Sequence, residues 1–204
     1  MSKEEPMLWK GKSVVLGVTG GIAAYKAATI ASMLRQAGAE MHVVMTEHAT
    51  QFVTPLTFQT LSRNRVILGM FEPSAEWEIE HVTLADRADL VLIAPATANI
   101  IGKIASGIAD DSLSTLVMST RAPVVLAPAM NVHMYENPIV QANLRKLQEL
   151  GYFFVDPATG PLACGYEGKG RLAEPEEIVR QSEQVLVRNQ KPHPRARRGT
   201  PRRK

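Results

Sequence analysis

Five short, almost wholly apolar runs recur along the chain, and segments with the spacing of helices separate them. The runs are "SVVLGVT" (13–19), "EMHVVMT" (40–46), "DLVLIAPAT" (89–97), "APVVLAPAM" (122–130) and "YFFVDP" (152–157). A strand that is apolar on both faces is typical of a parallel sheet covered by helices on both sides. The alternation therefore predicts one doubly wound α/β domain. We find no internal repeat and no second domain in the sequence.

Three of the intervening segments carry clear helix signals. Segment 23–38 has an apolar stripe and ends at Gly38, a residue suited to the position after a helix. Asn137 and Pro138 are typical of an N-cap and a first helical position, and Gly151 ends that helix. Its predicted inward face consists of Ile139, Val140, Leu144, Leu147 and Leu150. A further helix starts at Pro175, with a predicted inward face of Ile178, Val179, Ser182, Val185 and Leu186.

The composition excludes several classes of protein. With 204 residues, 45% of them hydrophobic and 21% charged, the chain is long enough to bury a sizeable core. No apolar run reaches the roughly 18 residues that span a bilayer, and "MSKEEPMLWKGK" is not a secretory signal. The single cysteine, Cys164, excludes an intrachain disulfide. We therefore expect a cytoplasmic protein with no membrane partner.

Charge is distributed unevenly along the chain. Residues 188–204 hold eight of the 23 Lys and Arg residues and none of the 20 Asp and Glu residues, so residues 1–187 carry a net charge of −5. The basic segment has almost no apolar side chain to bury. We expect residues 1–188 to form the domain and residues 189–204 to be a basic disordered tail. A nucleic-acid-binding arm lacks aromatic support, and a linker to a further domain is the other alternative.

Ligands of doubly wound sheets bind beyond the carboxyl ends of the strands, so the segments that follow the strands are candidate sites. They are "TGGIAAYK", "MTEHATQFVTP", "APATANIIGKIASGIADD", "APAMNVHMYENP" and "DPATGPLACGYEGKGRL". The turn Thr19-Gly20-Gly21-Ile22 matches neither a G-x-G-x-x-G motif nor a P-loop. It is either a tight turn or a cradle for a phosphate at a helix N-terminus. Thr97-Ala98-Asn99 is likewise either close helix packing or a place for a flat cofactor.

Three further residues have both a structural and a functional interpretation. His81 is a structural histidine or a general base. Cys164 is a buried small hydrophobe or a reactive thiol in a glycine-rich, mobile loop that includes Lys169 and Arg171. Asn131 belongs either to the turn or to a ligand site. No set of histidines has metal-ligand spacing, and Asp110-Asp111 is expected to cap or end a helix.

Five motifs occur in order between about residues 12 and 188: "GGIAAYK", the histidine of "EHVTLAD", "IAPATANIIGKIASGIADD", "PAMNVHMY" and "ACGYEGKGRL". Together they resemble the homo-oligomeric flavin-containing cysteine decarboxylases. The resemblance implies a Rossmann-like or flavodoxin-like α/β fold with FMN as cofactor. It also implies a lyase that converts 4′-phosphopantothenoylcysteine to 4′-phosphopantetheine in coenzyme A biosynthesis.

The implied chemistry needs an electron sink, because an α-carboxylate leaves only if the electrons of the breaking bond are accepted. Oxidation of the CH₂–SH group to a thioaldehyde provides that sink, and loss of CO₂ leaves an enethiol. Return of the electrons then gives a saturated thiol, so the net reaction involves no redox change. FMN supplies the hydride chemistry, and the protein supplies position, protons and electrostatics.

The resemblance also implies roles for individual residues. His81 corresponds to the active-site base, Asn131 to the residue that hydrogen-bonds the substrate carboxylate, and Cys164 to the proton donor for the enethiol. The implied FMN-binding residues are Gly20, Gly21, Ile22, Thr46, Phe52, Thr97, Ala98, Asn99, Ile100 and Ala129. The implied substrate-binding residues are Asn131, Met134, Ala163, Cys164 and Gly165.

The implied partners are the chain itself, as a trimer or a dodecamer of trimers, and a separate phosphopantothenoylcysteine synthetase. Two other functions remain open at this stage. One is decarboxylation of a peptide with a C-terminal cysteine, which "ACGYEGKGRL" disfavours. The other is a non-catalytic FMN-binding regulatory protein, which the basic tail disfavours. A flavin prenyltransferase needs a serine, lysine and arginine set that is not found here.

Overall fold

A parallel six-stranded sheet forms the centre of the fold in the computed structural model, which describes residues 8–70, 80–161, 165 and 167–189. Its strands are Ser13–Val18 (β1), Glu40–Met45 (β2), Val66–Ile67 (β3), Leu90–Ala96 (β4), Val124–Pro128 (β5) and Phe153–Phe154 (β6). They lie in the order β3-β2-β1-β4-β5-β6, and every neighbouring pair is parallel. The order reverses between β1 and β4, as in Rossmann-type sheets.

Helices cover both faces of this sheet. They are Ala24–Gln36 (α1), Pro55–Ser62 (α2), Glu80–Arg87 (α3), Ala98–Ser106 (α4), Ser112–Ser119 (α5), Val132–Glu136 (α6), Pro138–Glu149 (α7) and Pro175–Arg188 (α8), with a 3₁₀ helix at Glu47–Gln51. α1, α2 and α8 pack on one face around Leu16 and Ile30. α3, α4, α5 and α7 pack on the other face around Val15 and Ile101. The prediction of a single doubly wound α/β domain is confirmed.

The strand and helix predictions agree with the structure except at the ends and in the short elements. The predicted fifth strand, at 152–157, contains only the two residues of β6, while β3 has no counterpart among the predicted strands. Asn137 caps α7 by accepting a hydrogen bond from Ile139 N at 2.9 Å, as predicted. Asp111 caps α5 through the backbone N–H of Ser114, as the sequence also indicated.

The predicted inward face of α7 is wrong at both ends. Leu147 is fully buried, but Ile139 and Leu150 are 71% and 65% exposed. Ile139 lies in the first turn and Leu150 is the C-cap residue, so both lie beyond the narrow stripe that faces the sheet. The corresponding prediction for α8 holds, because its buried positions include Ile178, Ser182, Val185 and Leu186.

A short antiparallel hairpin follows the sheet, formed by Ala158–Pro161 (β7) and Glu167–Arg171 (β8). Residues 167–171, which were expected to belong to a loop, therefore form a strand. The glycines of this strand are explained by close packing. A Cβ on Gly168 would lie 2.6 Å from Val132 Cγ2, and one on Gly170, where φ is 155°, would collide with the carbonyl oxygen of Met130.

α8 ends at Arg188, and all of the predicted basic tail except Asn189 lies outside the described part of the chain. The division into a domain at 1–188 and a tail at 189–204 therefore stays a prediction. Among the described residues, no helix has both the length and the apolarity that a membrane crossing requires.

Candidate active site

A cavity of about 1120 Å³ opens at the carboxyl ends of the strands, at the point where the strand order reverses. Its walls come from the segments that follow β1, β2, β4 and β5 and from the end of β8. Twelve residues that the sequence singled out line it: Gly20, Gly21, Ile22, Thr46, Phe52, Thr97, Ala98, Asn99, Ile100, Ala129, Asn131 and Met134. The fold thus brings together residues from four separate segments, as expected for a ligand site of a doubly wound sheet.

The turn between β1 and α1 is held close to the 3₁₀ helix that follows β2. A Cβ on Gly20 would collide with His48 Cβ and would lie 2.8 Å from the His48 carbonyl carbon. A Cβ on Gly21 would lie 3.7 Å from Thr97 Cγ2, which is an ordinary contact. Gly20 is therefore required for the packing of two cavity walls against each other.

Thr19 joins the ends of the two central strands. Its side chain is buried, and its Oγ1 donates a hydrogen bond to Pro95 O at 2.7 Å. The same oxygen accepts a hydrogen bond from Thr97 N at 3.2 Å. One hydroxyl thus fixes the turn after β1 relative to the turn after β4, and both turns line the cavity.

Two helix N-termini face the cavity, and neither has an acidic residue in its first turn. α1 starts at Ala24 without a side-chain cap. α4 is capped by Thr97, whose Oγ1 accepts from Ile100 N at 3.4 Å. Helix N-termini favour anions because of their backbone N–H groups and the helix dipole. This end of the cavity is therefore suited to a phosphate.

Asn131 is the N-cap of α6, and its Oδ1 accepts a hydrogen bond from His133 N at 2.8 Å. Strand β8 supports this segment from outside, since Met130 N donates to Gly170 O at 2.9 Å. The cap fixes the orientation of the side chain through Oδ1. The hydrogen-bond donor of the oriented amide is Nδ2. A neutral donor at a strand end is well suited to a carboxylate ligand.

A large part of the cavity wall is apolar and exposed to solvent. Ile22, Phe52 and Met134 are each about half or more exposed, and Ala129 and Met130 lie beside them on the cavity wall. Exposed apolar side chains at the rim of a cavity are typical of a flat ligand site or a contact with another chain.

Sequence comparisons place these residues in a known family. A model of the family described as Flavoprotein matches residues 2–187. The chain belongs to the Flavoprotein family. It is 55% identical over 172 residues to the coenzyme A biosynthesis bifunctional protein CoaBC of Bacillus subtilis and 49% identical over 172 residues to that of Haemophilus influenzae. These matches cover 84% of the chain but only 42% and 43% of the relatives, so the chain spans less than half of their length.

Solved structures of related flavoproteins share the fold. A cysteine-to-serine mutant of PPC decarboxylase complexed with pantothenoylaminoethenethiol has a TM-score of 0.77 and 29% identity, covering 87% of this chain and 100% of that one. The FMN-dependent cysteine decarboxylase SpaF has a TM-score of 0.75 and 29% identity, covering 89% and 98%. The FMN binding protein AtHal3 has a TM-score of 0.75 and 29% identity, covering 88% and 99%.

Of the other four residues predicted for the site, only Gly165 can be compared with the cavity wall. His81 lies in the first turn of α3, and its side chain is outside the described part. Cys164 and Ala163 are also outside it. Gly165 is described and exposed, with φ of 82°, and does not line the cavity. The roles of all four residues stay predictions.

Two clusters of charged residues at the cavity were not predicted as site residues. Lys26 and Arg171 both donate to Glu174, at 2.9 Å and 2.8 Å. On the other side, Lys103 donates to Asp110 at 2.6 Å and to Asp111 at 2.8 Å. Lys26 lies in the motif "GGIAAYK" and Lys103 in "IIGKIASGIADD". A lysine inside a segment predicted to bind a ligand could have identified both residues as site candidates. No group of metal-ligating side chains occurs in the parts of the chain that the structure covers.

Proposed function

We propose that this flavoprotein catalyses the FMN-dependent decarboxylation of 4′-phosphopantothenoylcysteine to 4′-phosphopantetheine, a step of coenzyme A biosynthesis. The observation that carries the proposal is the convergence of twelve predicted site residues on one cavity at the strand-order reversal. The CoaBC relatives named for coenzyme A biosynthesis and the solved PPC decarboxylase support the same activity.

The cavity fits a flavin nucleotide in shape and chemistry. Its volume of about 1120 Å³ exceeds the roughly 300–1,000 Å³ of most small-molecule pockets, so it has room for a cofactor and a substrate. Gly20 and Gly21 let the backbone approach a ligand closely, and the N-termini of α1 and α4 suit its phosphate. Ile22, Phe52 and Ala129 offer apolar surface to a flat ring. When bound, FMN would supply the reversible oxidation of the substrate's thiol-bearing carbon.

The chain's own residues then have separate roles. Asn131 would hold the substrate carboxylate through its Nδ2 group without adding a positive charge that would retain it. Met130 and Met134 would exclude water from that position. His81 would act as the base, and Cys164 would donate the proton that converts the enethiol to the final thiol.

Assembly and partners are part of the same proposal. We infer that the chain self-associates, because exposed apolar side chains line the cavity. The order that the family resemblance implies is a trimer or a dodecamer of trimers. The relatives are called bifunctional and are more than twice as long as the matched region. A phosphopantothenoylcysteine synthetase, attached or separate, would supply the substrate.

An assay of CO₂ release from 4′-phosphopantothenoylcysteine tests the function directly. The purified protein should show a flavin absorbance band near roughly 450 nm and should release CO₂. His81→Asn should retain FMN and lose turnover, whereas Cys164→Ser should still release CO₂ but accumulate the oxidised enethiol product. A yellow protein without turnover would contradict the enzymatic function, and normal reduced product from Cys164→Ser would contradict the role of that cysteine.

A further inference from the structure

Lys26 and Arg171 reach one carboxylate from two different elements of the fold. Lys26, in α1, donates from Nζ to Glu174 Oε2 at 2.9 Å, and Arg171, at the end of β8, donates from Nη2 to Glu174 Oε1 at 2.8 Å. Both cations line the cavity, whereas Glu174 does not. We propose that Lys26 and Arg171 form the subsite that binds the phosphate group of the substrate. This inference rests on the proposed function, in which the substrate is a phosphomonoester.

The charges of the cavity are divided between its two sides. Lys26, Arg171 and Glu174 together carry a net charge of +1 on the side covered by α1 and α8. Lys103 with its two aspartates carries a net charge of −1 on the side covered by α4 and α5. A phosphomonoester carries about −1.5 to −2 at neutral pH. Glu47, in the 3₁₀ helix after β2, adds one more carboxylate to the cavity wall. Of the two clusters, only that of Lys26, Arg171 and Glu174 has a net charge that attracts a phosphomonoester.

Both cations keep hydrogen-bonding capacity that the described residues do not use. Lys26 Nζ and Arg171 Nη2 each donate one hydrogen bond to Glu174. Because an ammonium has three N–H donors and a guanidinium has five, both side chains have further donors for a ligand. The side chain of Lys26 is only 12% exposed, so its ammonium is held at the cavity wall. An arginine fork and a lysine point charge are the usual pair of donors to phosphate oxygens.

Glu174 can share its cations with an incoming dianion. The hydrogen bond from Lys26 lowers the pKa of Glu174, so the carboxylate is ionised and neutralises one of the two positive charges. Its side chain is 53% exposed, and exposed ion pairs are weak. In the free protein the glutamate holds Lys26 and Arg171 in place, and a phosphate can then bind to their remaining donors.

FMN also carries a phosphate, so the test must separate two sources of the same chemistry. We assign the flavin phosphate to the N-termini of α1 and α4, beside Gly20, Gly21 and Thr97, and the substrate phosphate to Lys26 and Arg171. The difference in affinity between FMN and riboflavin, which lacks the phosphate, measures the contribution of the residues at the N-termini of α1 and α4. The difference in kcat/KM between pantothenoylcysteine and its 4′-phosphate measures the contribution of Lys26 and Arg171.

The experiment measures kcat/KM for phosphopantothenoylcysteine and for pantothenoylcysteine in the FMN-loaded protein and in the variants Lys26→Met and Arg171→Met. We expect each variant to reduce the preference for the phosphorylated compound by about 10- to 100-fold, the loss of a charge-assisted hydrogen bond. Activity on the unphosphorylated compound should fall by much less than activity on the phosphorylated compound, and the affinity ratio of FMN to riboflavin should stay the same. Because each protein is compared with itself on two substrates, a general loss of folding does not mimic the result.

Matched controls remove the same charges elsewhere. Arg180→Met breaks an equivalent arginine–glutamate pair of 2.6 Å on the outer surface of α8, and Lys12→Met breaks a pair of 3.2 Å with Asp89 beside β1. Neither residue lines the cavity, and neither variant should change the preference. An unchanged preference in both Lys26→Met and Arg171→Met would overturn the proposal, as would a selective loss of FMN over riboflavin.

Failure of the proposed function gives a different result. If the unaltered protein decarboxylates neither compound, calorimetric binding of 4′-phosphopantetheine and of pantetheine still measures the phosphate preference. Loss of that preference in Lys26→Met and Arg171→Met would support the subsite without the reaction. Equal affinity for the two compounds in the unaltered protein would overturn it.

Discussion

Asn131 combines a structural and a proposed chemical role in one side chain. Its Oδ1 caps α6 through His133 N, and the residue also lines the cavity. The question of turn chemistry or ligand chemistry at this position therefore has no single answer. The cap orients the amide, and this orientation allows Nδ2 to donate a hydrogen bond to a carboxylate at a defined position.

Asn131→Asp separates the two roles, because aspartate caps a helix as well as asparagine does. We expect kcat/KM for decarboxylation to fall by about 10- to 100-fold from the loss of a charge-assisted contact of roughly 1.5–3 kcal/mol. Repulsion between the new carboxylate and the substrate carboxylate should lower it further. The melting temperature should change little. Both are measured on the FMN-loaded protein by CO₂ release and thermal unfolding.

Asn137→Asp is the control for this variant. Asn137 caps α7 in the same way, by accepting from Ile139 N at 2.9 Å, and it does not line the cavity. Its activity should equal that of the unaltered protein. Equal activity of Asn131→Asp and Asn137→Asp would show that Asn131 serves the helix alone.

At the scale of elements, the ends of β1 and β4 act as one unit through the buried hydroxyl of Thr19. Thr19→Val removes that hydroxyl and leaves Pro95 O and Thr97 N without this partner. We expect the free energy of unfolding to fall by about 1–3 kcal/mol and the affinity for FMN to fall with it, because the two turns would no longer be fixed to each other. Urea unfolding and FMN titration measure the two effects.

Thr19→Ser keeps the hydroxyl and removes only a methyl group. It should retain most of the FMN affinity, even if it loses some stability. If Thr19→Ser weakened FMN binding as much as Thr19→Val, the methyl contact and not the hydrogen bonds would hold the turns together.

Asp111, in the connection between α4 and α5, makes the stability of the protein depend on pH. Burial opposes the ionisation of Asp111, but hydrogen bonds from Lys103 and from Ser114 outweigh it and lower the pKa of Asp111. A carboxyl whose folded pKa is lowered stabilises the protein above its unfolded pKa, roughly 3.9, and loses that contribution as the pH falls through the folded value.

Asp111→Asn should therefore cost about 1 kcal/mol of unfolding free energy at pH 7, and it should flatten the loss of stability below about pH 4. Asn still caps α5, so the change isolates the charge. Urea unfolding between pH 7 and pH 3 measures both effects. Asp156→Asn, at an 81% exposed side chain paired with Lys169, is the control and should follow the unaltered protein. Parallel pH curves for all three proteins would exclude this role of Asp111.

At the scale of the whole molecule, exposed apolar side chains gather around the cavity. Ile22, Tyr25 and Phe52 line it, and Leu56, close behind Phe52 in the chain, is 69% exposed. Apolar side chains exposed together mark contacts with other chains. Self-association would cover this surface and close the cavity.

Leu56→Glu should dissociate the proposed assembly, because a charge would be buried at the contact. Sedimentation velocity of the FMN-loaded protein should show a smaller species than the unaltered protein forms. Leu150→Glu, at a 65% exposed leucine at the end of α7, is the matched control and should keep the assembly. A monomeric unaltered protein, or an unchanged mass for Leu56→Glu, would contradict the prediction.

The doubly wound fold and the segments that form the cavity wall could be predicted from the amino-acid sequence alone. Apolar runs and helix signals depend on neighbours in the chain, so β1, β2, β4 and β5 were predicted close to their true positions. Parallel strands deliver the segments that follow them to one edge of the sheet. The segments could therefore be assigned to one edge of the sheet, and the resemblance to a known family implied the twelve site residues within four of them.

Contacts between segments far apart in the chain could be recognised only in the folded structure. Lys26 and Glu174 are 148 positions apart in the chain, so no local pattern predicts their ion pair. The same holds for Thr19 and Pro95, which are 76 positions apart. The glycines of β8 suggested mobility, but the approach of Met130 and Val132 explains them. Such contacts depend on which surfaces meet after folding, and that information lies in packing rather than in periodicity.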